Sequence, residues 1–405
     1  MTAGAAASEP DPGQQGNTAT VMHTATQTTP SFRIEALSDT QDLHAHAAAW
    51  NRLAQQTTPH LPTCSADWLI TWYEFHADQQ PDWCCLFVWQ DDSLVGVMPL
   101  VLQHTRRSGL QQDWLALPRD EHTIAVSPLL YTGMETAVLH ALLTAVWARF
   151  PTAQGIEMND IAPDASVLPC LRAFRHRYIA QRTAAYLPCH GEQATYQTSL
   201  SKNFRSNQRK AENKLKKMTG VEFEFLTGTQ ATAQRLDQFM PVEGAGWKGE
   251  RGTAIQESNE LIAFYRSLTK RLATSGRLEW HFLHAEGKAI AANLAIRFGH
   301  AVIVWKLGYD EAYEKCSPGK QLFQKLIDRC FADADITEIN MLTEADWYNK
   351  FNMQRRNFHH IRLYRPGRLS VFLCNYWPDT LITTLKRNPL LRRLVRQLRR
   401  TGNTA

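Results

Sequence analysis

Apolar and polar positions along this chain fall into blocks that switch between a two-residue and a helical period. Ordered sequence begins near Phe32 with a short strand, FRIEALSD, and helical spacing follows at His44–Gln55 and Ala66–His76. Trp83–Gln90 (WCCLFVWQ) and Ser93–Leu102 (SLVGVMPLVL) flank Asp91-Asp92 and predict a hairpin. A helix over Thr136–Arg149, a strand over Gly155–Met158 and a helix over Ser166–Phe174 complete a first α/β unit.

The second half repeats that order. A helix over Ser201–Met218 leads to a strand at Val221–Leu226, then to helices around Thr229–Val242 and Glu257–Ser275. Strands follow at Leu278–His284, Ala289–Phe298 and Ala301–Tyr309, with turns at Glu286-Gly287 and Gly299-His300. A helix begins at Ser317, and strands over Glu338–Leu342 and His360–Tyr364 close the pattern. The echo lies in element order, with no residue-level repeat, and predicts two related α/β domains side by side.

Composition narrows the class. The 405 residues are 44% hydrophobic and 20% charged, which suits two globular domains. No apolar run reaches the roughly 18 residues that a bilayer span needs. Residues 1–30 are rich in Ala, Thr, Gln, Gly and Pro, show no signal-peptide pattern and are expected to be disordered. Eight cysteines without a C-x-x-C or His-rich cluster argue against a disulfide framework and against a metal site. A cytoplasmic location is expected.

The net charge of +5 is unevenly spread. One basic run, Lys202–Lys217, carries seven Lys or Arg against Glu212, and suits a solvated helix face or an anionic ligand. The tail 367–405 contains NPLLRRLVRQLRR, where Asn388 caps, Pro389 opens a helix, and Leu391, Leu394, Val395 and Leu398 make one apolar stripe. Such a helix fits an anionic membrane surface or its own domain.

Three segments can carry chemistry. In KCSPGKQ, Ser317 and Pro318 mark a helix start after a strand, where free N–H groups attract anions. Gly319 permits close backbone approach and Lys320 adds charge. No G-x-x-x-x-G-K-[ST] or G-x-G-x-x-G pattern occurs, which removes support for nucleotide hydrolysis and dinucleotide binding. Glu243–Ile255 (EGAGWKGERGTAI) is a glycine-rich loop in which Trp247 offers a flat wall and Glu243 a general base towards an amine. Asn340–Asn352 (NMLTEADWYNKFN) follows a strand, and its Tyr348 can return a proton to a leaving thiolate. Cys316, with no His near it in sequence, does not suit a nucleophile.

Taken in order, NFRSNQRKAENKLKK, WKGERGTAI, GKAIAANLAIRF, KLGYDEAYEKCSPGKQL and ADWYNKF resemble the CelD-like branch of the GNAT (acyl-CoA N-acyltransferase) superfamily. That branch is related to FemAB-type transferases with tandem GNAT domains. The match runs from about Tyr196 to Phe351, and the first half matches by element order alone. The resemblance implies an α/β (α+β) fold of tandem GNAT-like domains, each a mixed, mostly antiparallel sheet flanked by helices. The expected boundaries are 31–192 and 193–366.

The resemblance further implies acyl transfer from acyl-CoA, or acyl carrier protein, to an amine. The amine is expected on an amino sugar of an exopolysaccharide or lipid-linked precursor, or on a long-chain amino base. Glu243 and Tyr348 would be catalytic. Ser317, Pro318, Gly319, Lys320 and Gln321 would hold the co-substrate's pyrophosphate. Trp247, Lys248, Tyr309, Asp310, Asp346 and Lys350 would bind substrate. The superfamily's common Gln/Arg-x-x-Gly-x-Gly/Ala loop is replaced here by KCSPGK. No permanently bound cofactor is implied. A tRNA-dependent aminoacyl transferase and a non-catalytic accessory protein of polysaccharide synthesis are the alternatives.

Overall fold

The computed structural model describes residues 31–76, 82–107, 110–246 and 254–367. The strands are β1 (Arg33–Leu37), β2 (Trp83–Gln90), β3 (Ser93–Arg107), β4 (Leu110–Ala116), β5 (Leu129–Leu130), β6 (Gly155–Ile161), β7 (His176–Pro188), β8 (Glu222–Leu226), β9 (Leu278–Ala285), β10 (Lys288–Phe298), β11 (Ala301–Tyr309), β12 (Glu338–Asn340) and β13 (Gln354–Tyr364). The helices are α1 (Thr40–Gln56), α2 (Ala66–His76), α3 (Glu135–Arg149), α4 (Val167–Cys170), α5 (Gln193–Ser199), α6 (Lys202–Leu215), α7 (Leu236–Gly244), α8 (Asn259–Thr274) and α9 (Pro318–Ala332). Among the described residues no helix is long and apolar enough to cross a membrane. The N-terminal segment and the basic tail lie outside the described residues.

All strands belong to one mixed sheet, in the order β1-β2-β3-β4-β6-β13-β7-β12-β11-β10-β9-β8, with β5 beside β3. The order reads as two half-sheets meeting back to back. In each, three antiparallel pairings end in one short parallel pairing, β4 with β6 and β11 with β12. At the junction the halves exchange strands. β7, which follows the first half in sequence, pairs with β12, and β13, which ends the second, pairs with β6. β7 and β13 themselves pair at ten positions of β13, from Gln354 opposite Tyr186 to Leu363 opposite His176, with one register shift between His360 and Ile361.

The fold class expected from the resemblance holds, with the two halves joined through one sheet rather than set side by side. Their cores interleave. Trp68 of α2 packs in the second half's core with Phe264 and Trp280, while Phe298, Ile303 and Leu342 pack in the first half's. Ion pairs join the halves as well: Arg271 grips Glu74 through both guanidinium nitrogens at 2.7 and 2.8 Å, and Arg277 reaches Asp67 at 3.0 Å.

Some element expectations change. Ser166–Phe174 is one turn of α-helix followed by a 3-10 turn, and Thr229–Val242 becomes two 3-10 turns before α7, which tolerates Pro241 inside it. The strand expected over Glu338–Leu342 stops at Asn340, because Leu342 turns left-handed (φ 52°) and its N–H is held by the Asn340 side chain. β13 starts at Gln354 rather than His360.

Candidate active site

The site forms where β11 and β12 part. β12 pairs with β11 only at Ala301, Val302 and Ile303. Beyond that, β11 runs on to Tyr309 while the other chain segment turns away at Leu342. A cleft of about 500 Å³ fills the opening, lined by Val304–Tyr309 on one side and Met341–Ala345 on the other. β11 also carries a bulge here, since Leu294 faces Lys306 but Ala295 faces Val304. The extra residue, Trp305, packs edge-on against Trp68 at 4.2 Å and lines the cleft.

Two further cavities continue from this cleft. A middle one of about 260 Å³ shares Leu307, Gly308, Tyr309 and Trp347 with it and extends to Phe323, Gly319, Ser317 and Lys320. An outer one of about 270 Å³ shares Ser317 and Lys320 with the middle one and lies beside Lys350, Asn203, Asn207 and Gln208. The three differ in character. The outer end has two lysines and the first turns of α6 and α9, the middle sets Leu307, Tyr309, Phe323 and Trp347 beside Asn293 and Glu314, and the cleft holds Glu121, Glu243, Glu311 and Glu344 with Lys306.

The start of α9 differs from the expected cap. Ser317 adopts the left-handed conformation (φ 47°) and its hydroxyl caps nothing. Pro318 has no N–H, and the amides of Lys320 and Gln321 both reach the Ser317 carbonyl, at 3.0 and 3.1 Å. The turn therefore offers fewer free N–H groups than a plain helix start. Gln321 is buried and donates to the Gln208 carbonyl of α6 at 3.2 Å, tying the two helices that flank the outer cavity. The outer end of α6 is capped by Ser201, whose hydroxyl accepts from the Phe204 N–H. Burial first, and then the neighbouring Lys350 charge, hold the Lys320 ammonium below the usual lysine range. The half-buried Lys320 and the exposed Lys350 both line the outer cavity, with Glu314 acting on Lys320 in the opposite sense, and the pair of cations suits an anionic ligand.

Glu243 sits on the last turn of α7 with its side chain out of solvent. It accepts from the Ile255 N–H at 2.9 Å and from the Lys306 ammonium at 3.4 Å. Gly308 makes that placement possible: a Cβ there would lie 2.5 Å from the Glu243 Cα and 2.8 Å from the Val242 carbonyl. Tyr348 is buried at the opposite wall, 3.3 Å from the Thr343 hydroxyl, and burial pushes its phenol above the usual range. A phenol so held keeps its proton at neutral pH, as a proton donor must.

The remaining expected residues separate. Tyr309 lines both the cleft and the middle cavity, and Lys350 lines the outer one. Asp310 is occupied elsewhere: it caps the following 3-10 turn through the Ala312 N–H and pairs with Lys288 at 2.8 Å. Asp346 is exposed and absent from the lining of all three cavities. Trp247 and Lys248 lie outside the described residues. Cys316 is buried beside Met218.

One group in the cleft was not expected. His122 comes from the first half, from the segment after β4, and its Nδ1 lies 3.2 Å from the Tyr265 hydroxyl. Burial, then the Lys306 charge, hold its imidazole below the usual histidine range, so it is neutral at pH 7. Only the run DEHT marked it in sequence, and nothing there joins it to a site 180 residues on, on the basis of order alone.

Residues 202–350 match the family described as "Acetyltransferase (GNAT) domain". This segment is a GNAT acetyltransferase domain. It takes in α6, Glu243, the splayed strand β11, the KCSPGK turn and Tyr348. Among solved structures, FemX is similar at 12% identity with a TM-score of 0.53, over 82% of this chain and 97% of that one. A conserved protein of unknown function from Bacteroides thetaiotaomicron is similar at 12% identity and a TM-score of 0.49, over 82% and 100%. A tandem GNAT protein from the clavulanic acid biosynthesis pathway is similar at 10% identity and 0.42, over 84% and 99%. No curated protein matches the chain. At such identities the likeness to solved structures speaks of fold, and the GNAT domain itself makes acyl transfer the activity class, with acyl-CoA the implied co-substrate.

Proposed function

We propose that this chain is an N-acyltransferase that moves an acyl group from a CoA thioester to an amine-bearing acceptor. The supporting observation is the graded run of cavities. The outer cavity, with Lys320 and Lys350, has the charge to take the phosphates. The middle, walled by Leu307, Tyr309, Phe323 and Trp347, suits the pantetheine arm, and the acid-rich cleft suits an acceptor that arrives as an ammonium. The acceptor class is an amino sugar on a polysaccharide precursor or a long-chain amino base, taken up at the cytoplasmic face. The tail at 388–400 would hold the protein near an anionic membrane.

In this reading Glu243 takes the proton that the ammonium must lose, either directly or through His122, which lines the same cleft. The free amine then attacks the thioester carbonyl carbon. As the tetrahedral intermediate collapses the nitrogen gives up its second proton to water, the C–S bond breaks, and Tyr348 gives a proton to the thiolate and regains one from water. Lys306 fixes the Glu243 carboxylate, so the cleft wall keeps its charge without adding a net negative one. Ser317 and Lys320 bound the phosphate end, Gly319 lines the middle cavity next to it, the buried Pro318 shapes the turn, Gln321 braces it from behind, and Tyr309 lies between the middle cavity and the cleft.

Calorimetric titration with CoA, then with acetyl-CoA and longer acyl-CoAs, tests the donor. Binding of CoA that is lost in 1 M salt is the expected result. Binding of aminoacyl-tRNA with no response to any CoA compound would overturn the proposal.

A further inference from the structure

Asn293 is a polar residue set in an apolar strand. Its neighbours along β10 are Ala291, Ala292, Leu294, Ala295 and Ile296, all fully buried. Asn293 itself is only 5% exposed, and its side-chain N–H₂ has no hydrogen-bond partner. Buried amide groups are almost always paired, so a lone one asks what ligand completes it. The answer lies in its position. In register it stands opposite Leu307 of β11, one residue before the bulge, so Asn293, Leu307 and Tyr309 share a face of the sheet. All three line the middle cavity, with Phe323 and Gly319 of α9 across from them.

We infer that the Asn293 side-chain amide donates a hydrogen bond to the carbonyl oxygen of the acyl thioester. The inference rests on the proposed function, with the pantetheine arm in the middle cavity and the thioester at the end of it that meets the cleft, at Leu307 opposite Asn293. The oxygen gains negative charge as the amine adds to the carbonyl carbon, and a donor already fixed in an apolar wall strengthens as that charge grows. The charge returns to a neutral amide carbonyl when the C–S bond breaks, so Asn293 itself gains and loses no proton. It is thus a catalytic residue that the sequence, where GKAIAANLAIRF reads as a plain core strand, does not single out.

The test uses the full chain with three probes: CoA, acetyl-CoA carrying a ¹³C-labelled carbonyl, and S-ethyl-CoA, a thioether of similar size with no carbonyl. Wild-type protein should bind acetyl-CoA about three- to tenfold tighter than S-ethyl-CoA, the worth of one hydrogen bond. Its bound carbonyl stretch should shift to lower frequency. Asn293→Leu should erase both differences while binding CoA and S-ethyl-CoA as wild type does. The apolar substitution also removes an unpaired buried amide, so the free variant should melt no lower than wild type. Equal affinity of wild type for both compounds, with an unshifted carbonyl, would overturn the inference alone. A variant that weakens CoA as much as acetyl-CoA would also overturn it, by moving the contact to the pantetheine arm. Wild type that binds none of the three would overturn the functional proposal beneath it.

Discussion

The two halves of the sheet carry the same strand plan and put it to different use. β1, β2, β3, β4 and β6 of the first correspond in order and direction to β8, β9, β10, β11 and β12 of the second. In the second half the chain leaves β11 through a short 3-10 turn, reaches the left-handed Ser317 and enters α9. That turn faces the middle and outer cavities. In the first half the chain leaves β4 through a long irregular segment before α3, and from it Glu121, His122 and Ile124 line the cleft of the other half. The same topological position thus borders the middle and outer cavities in one half and part of the cleft in the other. A strand plan fixes where a loop emerges, and the loop's own residues decide what it does there.

If the halves depend on each other, breaking a contact between them should unfold both. Arg277 and Asp67 form a pair with side chains 9% and 12% exposed, and Asn51 also reaches the guanidinium. Arg277→Ala leaves Asp67 charged and buried, a loss of about 3–5 kcal/mol for such pairs. One cooperative transition at a clearly lower Tm is expected by calorimetry. Two separate transitions, with one half unaffected, would show that the exchanged strands β7 and β13 do not couple the halves.

The next largest effect separates two groups that meet in the cleft from opposite halves. Glu243→Gln keeps the shape and the Ile255 contact but removes the charge, and loss of a general base lowers kcat by about a hundredfold or more. His122→Asn should then cost much less. Steady-state rates across pH 6 to 9, for both variants, decide the order. A larger loss for His122→Asn would move the proton-accepting role to the first half's loop.

These groups were unequally visible in the sequence. Most of the second half was legible, because its strands alternate or run fully apolar and its helices carry caps such as Ser258 and Ser201. Glu243, Tyr348 and the KCSPGK turn stood out by residue type and by the resemblance. β7 and β4 did not: HRYIAQRTAAYLP has polar residues on both faces at one end, and LQQDWLA is short and half polar. β7 pairs with β12 and β13, far away in sequence, so no local period reports it, while β4 folds back on β3 and is hidden by its polar residues instead. Missing β7 hid the strand exchange, and nothing local reported that His122 and Glu243 line one cleft. Gly308 was a further silent position, read only as part of a motif until its contact with α7 was seen.

A smaller effect should separate the outer cavity from the cleft. Lys320→Ala combined with Lys350→Ala removes the two cations of the outer cavity and should weaken CoA about tenfold, since ion pairs open to solvent are worth about 0.2–1 kcal/mol each. Glu121→Gln, in the first half's loop, should leave CoA affinity within about twofold and raise the acceptor's KM instead. Calorimetry with CoA checks both. An equal loss of CoA affinity in the two variants would erase the division of labour between the corresponding loops.

The smallest effect concerns acid. His46, His60 and His122 of the first half, and His359 and His360 on the strand that pairs with it, are all held below the usual histidine range, burial being the largest cause in each. A histidine with a lowered folded pKa is neutral in both states above about pH 6.5, so it costs no stability there. As pH falls through about 6.5 the unfolded chain takes up protons that the folded chain refuses, and stability drops until the folded pKa is passed. Each such group contributes at most about 1.4 kcal/mol per pH unit inside that window. Tm should therefore be flat from pH 8 to 7 and fall between about 6.5 and 5. His360 lies away from the cleft and its Nε2 is buried without a partner, which makes it the position to test. His360→Gln should make the fall shallower while leaving Tm near neutral pH little changed. An unchanged slope in His360→Gln, or a chain whose Tm rises on acidification, would show that the burial of these imidazoles does not set the acid limit of the first half.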